Sequence, residues 1–261
     1  MYFRKGYDGL DRKYWVPALE RADLILKAIS KQPGEQKMTE LCDETGINKS
    51  SMFSLLRTME ALLWVSKDKK EAYSLGVGVA YYNTVFNESH KQNFNLVEHF
   101  LKTSADSVKV ISETFQLSIL DRSDVVYLAK QEGPSLVKLE SSPGMRFPAH
   151  ATAMGKMMLS WLPVEELERR YPNRILSQLT SHTITDWDEF MANLAAIRIH
   201  GYAVDQQEII KGICCVAAPI LDASGNVVAA VSTSMLQHAY IDKQESAIQE
   251  VMKLAEKLSL S

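Results

Sequence analysis

From Pro17 onward the chain spaces Leu19, Ala22, Ile25, Leu26 and Ile29 at three- and four-residue intervals, a helical stripe that stops near Gln32-Pro33-Gly34. A second short stripe turns Met38, Leu41 and Thr45 inward. Gly46-Ile47-Asn48 then makes a tight turn into the stretch KSSMFSLLRTMEAL, with Asn48 as the expected N-cap. Met52, Leu55, Leu56, Met59 and Leu62 share one face of this third helix. The opposite face carries Lys49, Ser50, Ser51, Ser54, Arg57 and Thr58, with no carboxylate until Glu60. An ordinary solvated face is richer in Glu/Lys pairs four residues apart. Two helices meeting at a short glycine-containing turn predict a helix-turn-helix. The run Leu63-Trp64-Val65-Ser66, the charged turn Lys67 to Glu71, and Ala72-Tyr73-Ser74-Leu75 predict two short strands, a wing.

Residues 77–104 place Val79, Tyr82, Val85 and Phe86, then Phe94, Val97, Phe100 and Leu101, at helical spacing around the polar interruption Asn87 to His90. They predict a connecting helix and a second helix whose aromatic residues serve as core or dimer contacts. Beyond residue 105 strands are expected at Val110 to Asp121, Val125 to Gln131, Leu136 to Ser141, Gly201 to Glu208, Cys214 to Leu221 and Val227 to Ser234. Helices are expected at Ala151 to Trp161, Trp187 to His200 and Ile241 to Leu258. This order predicts an α+β protein with an antiparallel sheet and helices against it. The expected organisation is an N-terminal extension at 1–16, a winged helix-turn-helix at 17–76, linker and connecting helices at 77–104, and a second domain at 105–261.

Composition narrows the class. In 261 residues with 46% hydrophobic and 23% charged content there is enough apolar surface for proper cores. No apolar run approaches the ~20 residues of a membrane span, and MYFRKGYDGLDRKYW lacks a signal peptide's apolar core, so a cytoplasmic protein without membrane contact is expected. Three cysteines, Cys42, Cys214 and Cys215, are too few and too poorly spaced for a disulfide framework or a four-ligand zinc site. No cofactor and no metal are expected. The net charge of −3 divides into +2 before residue 76 and −5 after it, which permits a nucleic-acid partner without identifying one.

The polar face of the third helix suits DNA. Lys49 and Arg57 can neutralise phosphates, Ser50, Ser51 and Ser54 can donate to phosphate or base, and Phe53 can touch a thymine methyl. Lys67 and Lys69 of the wing, with Lys70, add charge beside it. A three-helix protein-interaction module with a polar outer face is the alternative, and the wing lysines weigh against it.

At this point the chain resembles the IclR-type transcriptional regulators of bacteria. The resemblance rests on Lys49-Ser50-Ser51, Leu55-Leu56, Thr58 and Tyr73-Ser74-Leu75-Gly76. In the second half it rests on His150-Ala-Thr-Ala-Met-Gly-Lys156, Gly201-Tyr-Ala-Val-Asp205, Gly212-Ile-Cys-Cys-Val-Ala-Ala-Pro-Ile220 and Ala229-Ala-Val-Ser-Thr-Ser234, in the family's order. It covers residues 17 to 258 and implies a GAF-like effector domain, double-stranded operator DNA as partner, and a homodimer or dimer of dimers formed partly along the connecting segment. Two positions depart from the family pattern. Ser54 stands where an arginine is frequent. Leu63 stands where glycine commonly precedes the aromatic-valine pair, so a different turn into the wing is expected because a Cβ resists positive φ.

The loop SSPGMRFPAHA feeds a helix start near Ala149 to Thr152, where free amides suit an anion, although Thr152 can equally be an N-cap. Strand alternation puts Cys215 and Ala217 on one face, Cys214 on the other, and Ser232 with Ser234. The resemblance implies an effector pocket of Ala153 and Met154, through their backbone amides, with Asp205, Cys215, Ser232 and Ser234. A fixed Asp205 carboxylate repels an anion unless it accepts from a hydroxyl, which favours a small hydroxylated or keto acid or a sugar acid as effector. The alternative is a thiol hydrolase using Cys215 and His150 with Asp205. It requires the thiol within reach of the imidazole and a depressed thiol pKa. A redox pair of Cys214 and Cys215, or a zinc site from His150, Asp205 and Cys215, fits the residue spacing less well. The chain is therefore expected to be a DNA-binding regulator with no catalytic residues.

Overall fold

The computed structural model describes residues 15–82, 91–134 and 141–259, with side chains described from residue 96 onward in the helix that begins at Lys91. The chain divides between Asn93 and Phe94 into two compact units.

In the first unit, α1 (Pro17–Lys31), α2 (Met38–Thr45) and α3 (Lys49–Ala61) are followed by β1 (Val65–Lys67) and β2 (Tyr73–Leu75). Ile25, Ile29, Leu41, Met52, Leu56 and Met59 close the core that the three stripes predict. Gly46 ends α2 at φ 71°, and the Asn48 side chain accepts from the Ser51 N–H at 2.9 Å. Ile47 before the cap and Met52 in the first turn are buried in one cluster, as a hydrophobic staple requires. The strands pair antiparallel, Val65 opposite Leu75, across a turn in which the Asp68 carboxylate accepts from the N–H groups of Lys70 and Ala72, each at 2.8 Å. Tyr73 N–H donates to the Gln36 carbonyl at 2.9 Å, which ties the wing to the α1–α2 loop.

Two expectations fail here. Leu62 caps α3 and is 51% exposed rather than inward, because the helix stops one residue earlier. Leu63 takes the left-handed conformation that its Cβ was expected to resist, at φ 58°, with Trp64 N–H donating to the Met59 carbonyl. Gly76 packs so tightly on this turn that a Cβ there would lie 2.2 Å from the Leu63 carbonyl oxygen. Residues 77–82 start a helix. Val85, Phe86 and the interruption Asn87 to His90, like residues 1–14 of the N-terminal extension and all but Ser141 of the strand expected at Leu136 to Ser141, lie outside the described residues.

The second unit contains most of α4 (Lys91–Ile111) and a sheet of β3 (Thr114–Asp121), β4 (Asp124–Gln131), β5 (Arg146–Pro148), β6 (Ala203–Gln206), β7 (Ile213–Leu221) and β8 (Val227–Leu236). Strand order is β5-β4-β3-β8-β7-β6, antiparallel throughout. On one face Phe115, Leu117, Ile220 and Val231 pack with Phe100 of α4 and Val251 and Leu254 of α8 (Gln237–Leu258). On the other, Ala203, Ala217 and Ala230 are small enough for α5 (Ala153–Leu159) to lie close, backed by α6 (Val164–Arg170) and α7 (Trp187–His200).

Boundaries move for local reasons. The strand expected from Val110 starts at Thr114, since 110 and 111 finish α4 and Ser112 turns the chain at φ 60°. The helix expected at Ala151 to Trp161 is a short 3-10 turn, Ala149–Ala151, and α5, broken where Thr152 is extended. The strand expected at Gly201 to Glu208 is only Ala203–Gln206, ended by Gln207 at φ 66°, and the final helix begins at Gln237 rather than Ile241. Strand β5 and helix α6 were not anticipated, each being too short for its periodicity to register. Phe100 is fully buried, whereas the side chain of Phe94 lies outside the described residues.

Candidate functional site

The first candidate is the outer face of α3. Phe53 is 58% exposed, the Arg57 side chain is 71% exposed with Glu60 at 3.8 Å, and Lys49, Ser50 and Ser54 are also exposed. The cap geometry modifies the expected chemistry. Ser50 donates its hydroxyl proton to Asn48 Oδ1 at 2.8 Å and Ser54 to the Ser50 carbonyl at 3.1 Å, so in this arrangement both offer lone pairs rather than protons. The Ser51 hydroxyl stays outside these bonds. In the wing, Lys67 pairs with Glu71 at 2.7 Å and lies 5.8 Å from the Tyr73 ring centre, which mutes its charge, while Lys69 stands exposed.

The second candidate is a cavity of about 60 Å³ between the sheet and the start of α5. Strand register builds its floor. Asp205 lies opposite Cys215, Cys215 opposite Ser234, and Ser232 opposite Gln116, so all five side chains project from one face. Tyr127 joins them from β4. Thr152, Ala153 and Met154 roof the cavity, and Ile209, Ile210 and Ile213 form an apolar side wall. Gly155 permits this roof, because a Cβ there would lie 2.1 Å from the Ala149 carbonyl oxygen. Its N–H donates to Thr152 Oγ1 at 3.0 Å, so Thr152 does cap α5. All six positions implied by the resemblance line the cavity. Gln116, Tyr127, Ser141 and Phe147 line it too and were not anticipated. Gln116, which with Ser118 alternates with the apolar residues of the FQLSIL strand, was the one available signal.

Asp205 is 3% exposed, and its Oδ1 accepts from the Glu208 N–H at 2.6 Å. Burial raises its pKa from 3.8 to about 7, against the downward pull of the Glu208 and Ile209 N–H groups. The premise of a fixed, repelling carboxylate is thereby corrected. Near neutrality the side chain is shared between acid and anion, and the acid form can donate to a ligand carboxylate. Behind the cavity the ammonium of Lys156, 1% exposed, pairs with the Glu208 carboxylate, whose own pKa burial pushes up. Thr183 and Thr180 hydroxyls donate to the Glu208 and Gln207 carbonyls, each at 2.7 Å. This buried network holds the loop that carries the isoleucine wall.

Burial pushes the Cys215 thiol well above its usual pKa, with the Asp205 charge adding to the rise, and Sγ lies 3.1 Å from Ser234 Oγ. The thiol is protonated and weakly nucleophilic. His150 Nε2 is bonded to the Ser177 carbonyl at 2.9 Å, and its ring meets Tyr171 edge-on. Burial lowers its pKa. The depressed thiol pKa that a thiol hydrolase requires is absent, and the imidazole is bonded to the Ser177 carbonyl. Cys214 points to the opposite face, among Val216, Met235 and Tyr240. Among the described residues no group of three or more His, Cys, Asp and Glu could hold a metal ion, and no helix is long and apolar enough to cross a membrane.

Comparison with known proteins covers both units. Residues 18–69 match the IclR helix-turn-helix domain, and residues 89–260 match the bacterial transcriptional regulator IclR C-terminal family. The chain is 29% identical over 253 residues to the HTH-type transcriptional regulator XynR of Escherichia coli, covering 92% of this chain and 94% of that one. It is 30% identical over 213 residues to the HTH-type transcriptional regulator KdgR of Dickeya chrysanthemi, covering 80% and 68%. The crystal structure of Thermotoga maritima IclR superposes with a TM-score of 0.68 at 28% identity, over 93% of this chain and 97% of that one.

Proposed function

The chain belongs to the IclR family of bacterial transcriptional regulators, and from that premise we propose that it works in the cytoplasm as an operator-binding sensor of a small organic acid. In this reading residues 17–76 form the reading head and 105–261 the sensor. The observation that carries the sensor reading is the convergence of Ala153, Met154, Asp205, Cys215, Ser232 and Ser234 on one small cavity. Its volume of about 60 Å³ holds about four to six waters, which suits an acid of a few carbons carrying a hydroxyl or keto oxygen. The sensor role is favoured over hydrolysis by the protonated Cys215 thiol and by the engagement of His150 with Ser177.

The reading head uses Lys49, Arg57 and Lys69 as phosphate contacts, Phe53 and Ser51 toward base edges, and Ser50 and Ser54 as acceptors, with Lys67 weakened by its ion pair with Glu71. One winged helix buries too little surface for tight specific binding, so a homodimer or dimer of dimers reads a pseudo-palindromic site. Effector and DNA are coupled through the preference of each for one arrangement of the assembly. The test is selection from a random duplex pool followed by salt titration. A selected, pseudo-palindromic sequence and a steep log-log slope are expected, and Arg57→Ala should reduce that slope by about 1 per engaged reading head, about 2 for a dimer, while weakening all sequences alike. Binding that is flat in salt, or no selected sequence, overturns the reading head. A calorimetric panel of short hydroxy and keto acids tests the sensor, which fails if none binds.

A further inference from the structure

Resting on the effector reading of the cavity, the hydrogen-bond directions around Gln116 define which acid the site selects. Gln116 of β3 is 2% exposed, and all of its side-chain polar atoms are engaged. Its Oε1 accepts the hydroxyl protons of Ser234 at 2.7 Å and Ser232 at 3.3 Å. Its Nε2 donates to Ser141 Oγ at 2.9 Å. A serine hydroxyl has one proton and two lone pairs. With both protons directed at the amide oxygen, Ser232 and Ser234 have only lone pairs left for anything in the cavity. Cys215 Sγ lies 3.1 Å from Ser234 Oγ, and either atom can be the donor in that contact.

A ligand oxygen without a proton, such as a keto group, can be bonded by these serines only if one hydroxyl turns away from Gln116. That leaves the buried amide oxygen with one donor in place of two, a loss worth about fivefold in affinity. A ligand hydroxyl donates to the lone pairs already presented and requires no such rearrangement. We propose that Gln116 is the specificity-determining residue of this cavity: it holds Ser232 and Ser234 as acceptors, so the site selects a small 2-hydroxy acid over the 2-keto acid of the same skeleton. The discrimination follows the general pattern in which a site built to pair with a substrate hydroxyl rejects the analogue that lacks it.

The experiment titrates the full-length protein by calorimetry with lactate and pyruvate, and with 2-hydroxybutyrate and 2-oxobutyrate. In the wild type the hydroxy acid of each pair should bind about fivefold tighter. Gln116→Leu removes the acceptor and frees both serine protons, so the ratio should fall to near one or invert. A Ser232→Ala/Ser234→Ala double variant, which leaves Gln116 in place, should lose the preference by weakening the hydroxy acid while changing keto-acid affinity little. Equal or tighter binding of the keto acids to the wild type overturns the Gln116 assignment, and so does an unchanged ratio in a folded Gln116→Leu protein. If no acid of either kind binds the wild type, the effector reading itself fails, and the assignment falls with it.

Discussion

Asp205→Asn should make the protein more stable in alkaline solution, and by an amount that grows with pH. The wild-type carboxyl goes from its ordinary 3.8 to about 7 on burial. That gap corresponds to about 4 kcal/mol at about 1.36 kcal/mol per pH unit. The sign follows from proton counting. The unfolded chain releases this proton near pH 4, whereas the folded chain keeps it until about pH 7, so across that window the folded state binds more protons and stability is lost as pH rises. Below pH 4 the penalty is absent; above pH 7 it is complete. Asparagine never ionises, and its Oδ1 can still accept the Glu208 N–H that Asp205 accepts at 2.6 Å. The difference in unfolding free energy between variant and wild type should therefore climb from pH 4.5 to 8, by up to about 4 kcal/mol in favour of asparagine. Any packing cost of the new amide adds a constant and leaves the slope intact. Glu208 is also pushed up by burial, and its charge contributes to the rise at Asp205, so the slope belongs to the coupled pair and removing Asp205 also eases the ionisation of Glu208. Urea unfolding of both full-length proteins at intervals between pH 4.5 and 8.5 measures this slope. A difference that stays flat across the range refutes the burial argument.

Lys156→Met should cost about 3–5 kcal/mol by leaving the Glu208 carboxylate buried without its cation, and adding Glu208→Leu should restore part of the loss. Equal stability of the single variant and the wild type in urea would show that the pair is not a buried ion pair in solution. Leu63 sits at φ 58° with its side chain more than half exposed. Leu63→Asn should therefore stabilise the first unit by about 0.5–1 kcal/mol, and Leu63→Val should destabilise it by about 1 kcal/mol or more. Identical melting of all three proteins would remove the strain account of this turn.

Much of the reading head is determined by residues close together in the chain. The helical stripe of α3, the αL glycine at position 46, the Asn48 cap onto Ser51 and the charged turn around Asp68 each act over a few residues. For the same reason the alternating strands after residue 110 were legible in type, and the separation of Cys214 from Cys215 followed from alternation alone. The ends of these elements were less so, because Ser112, Thr152 and Gln207 stop them through backbone conformations that periodicity does not encode. Leu63 in the left-handed region contradicts its own side-chain preference. It is accommodated because Gly76 and Gly78 close onto its backbone from beyond the wing.

The cavity belongs to the tertiary structure. The six residues implied by the family resemblance were nameable only from the motifs. By composition, Ser232 and Ser234 are as compatible with a solvated strand face, and Asp205 with a turn cap, a role it also fills. Gln116 reads as an ordinary strand residue until antiparallel register sets it opposite Ser232 and hands it the proton of Ser234, 118 positions away. Lys156 reads as a helix lysine until the fold buries it against Glu208, 52 positions on. What the sequence determined by itself is therefore the kind and order of elements, since periodicity, caps and turns are set within a few residues. Which hydroxyl donates, which carboxyl keeps its proton and which lysine loses water depend on neighbours that only the folded chain brings within hydrogen-bond distance. Dehydration and pairing are properties of that assembled environment, not of any local segment.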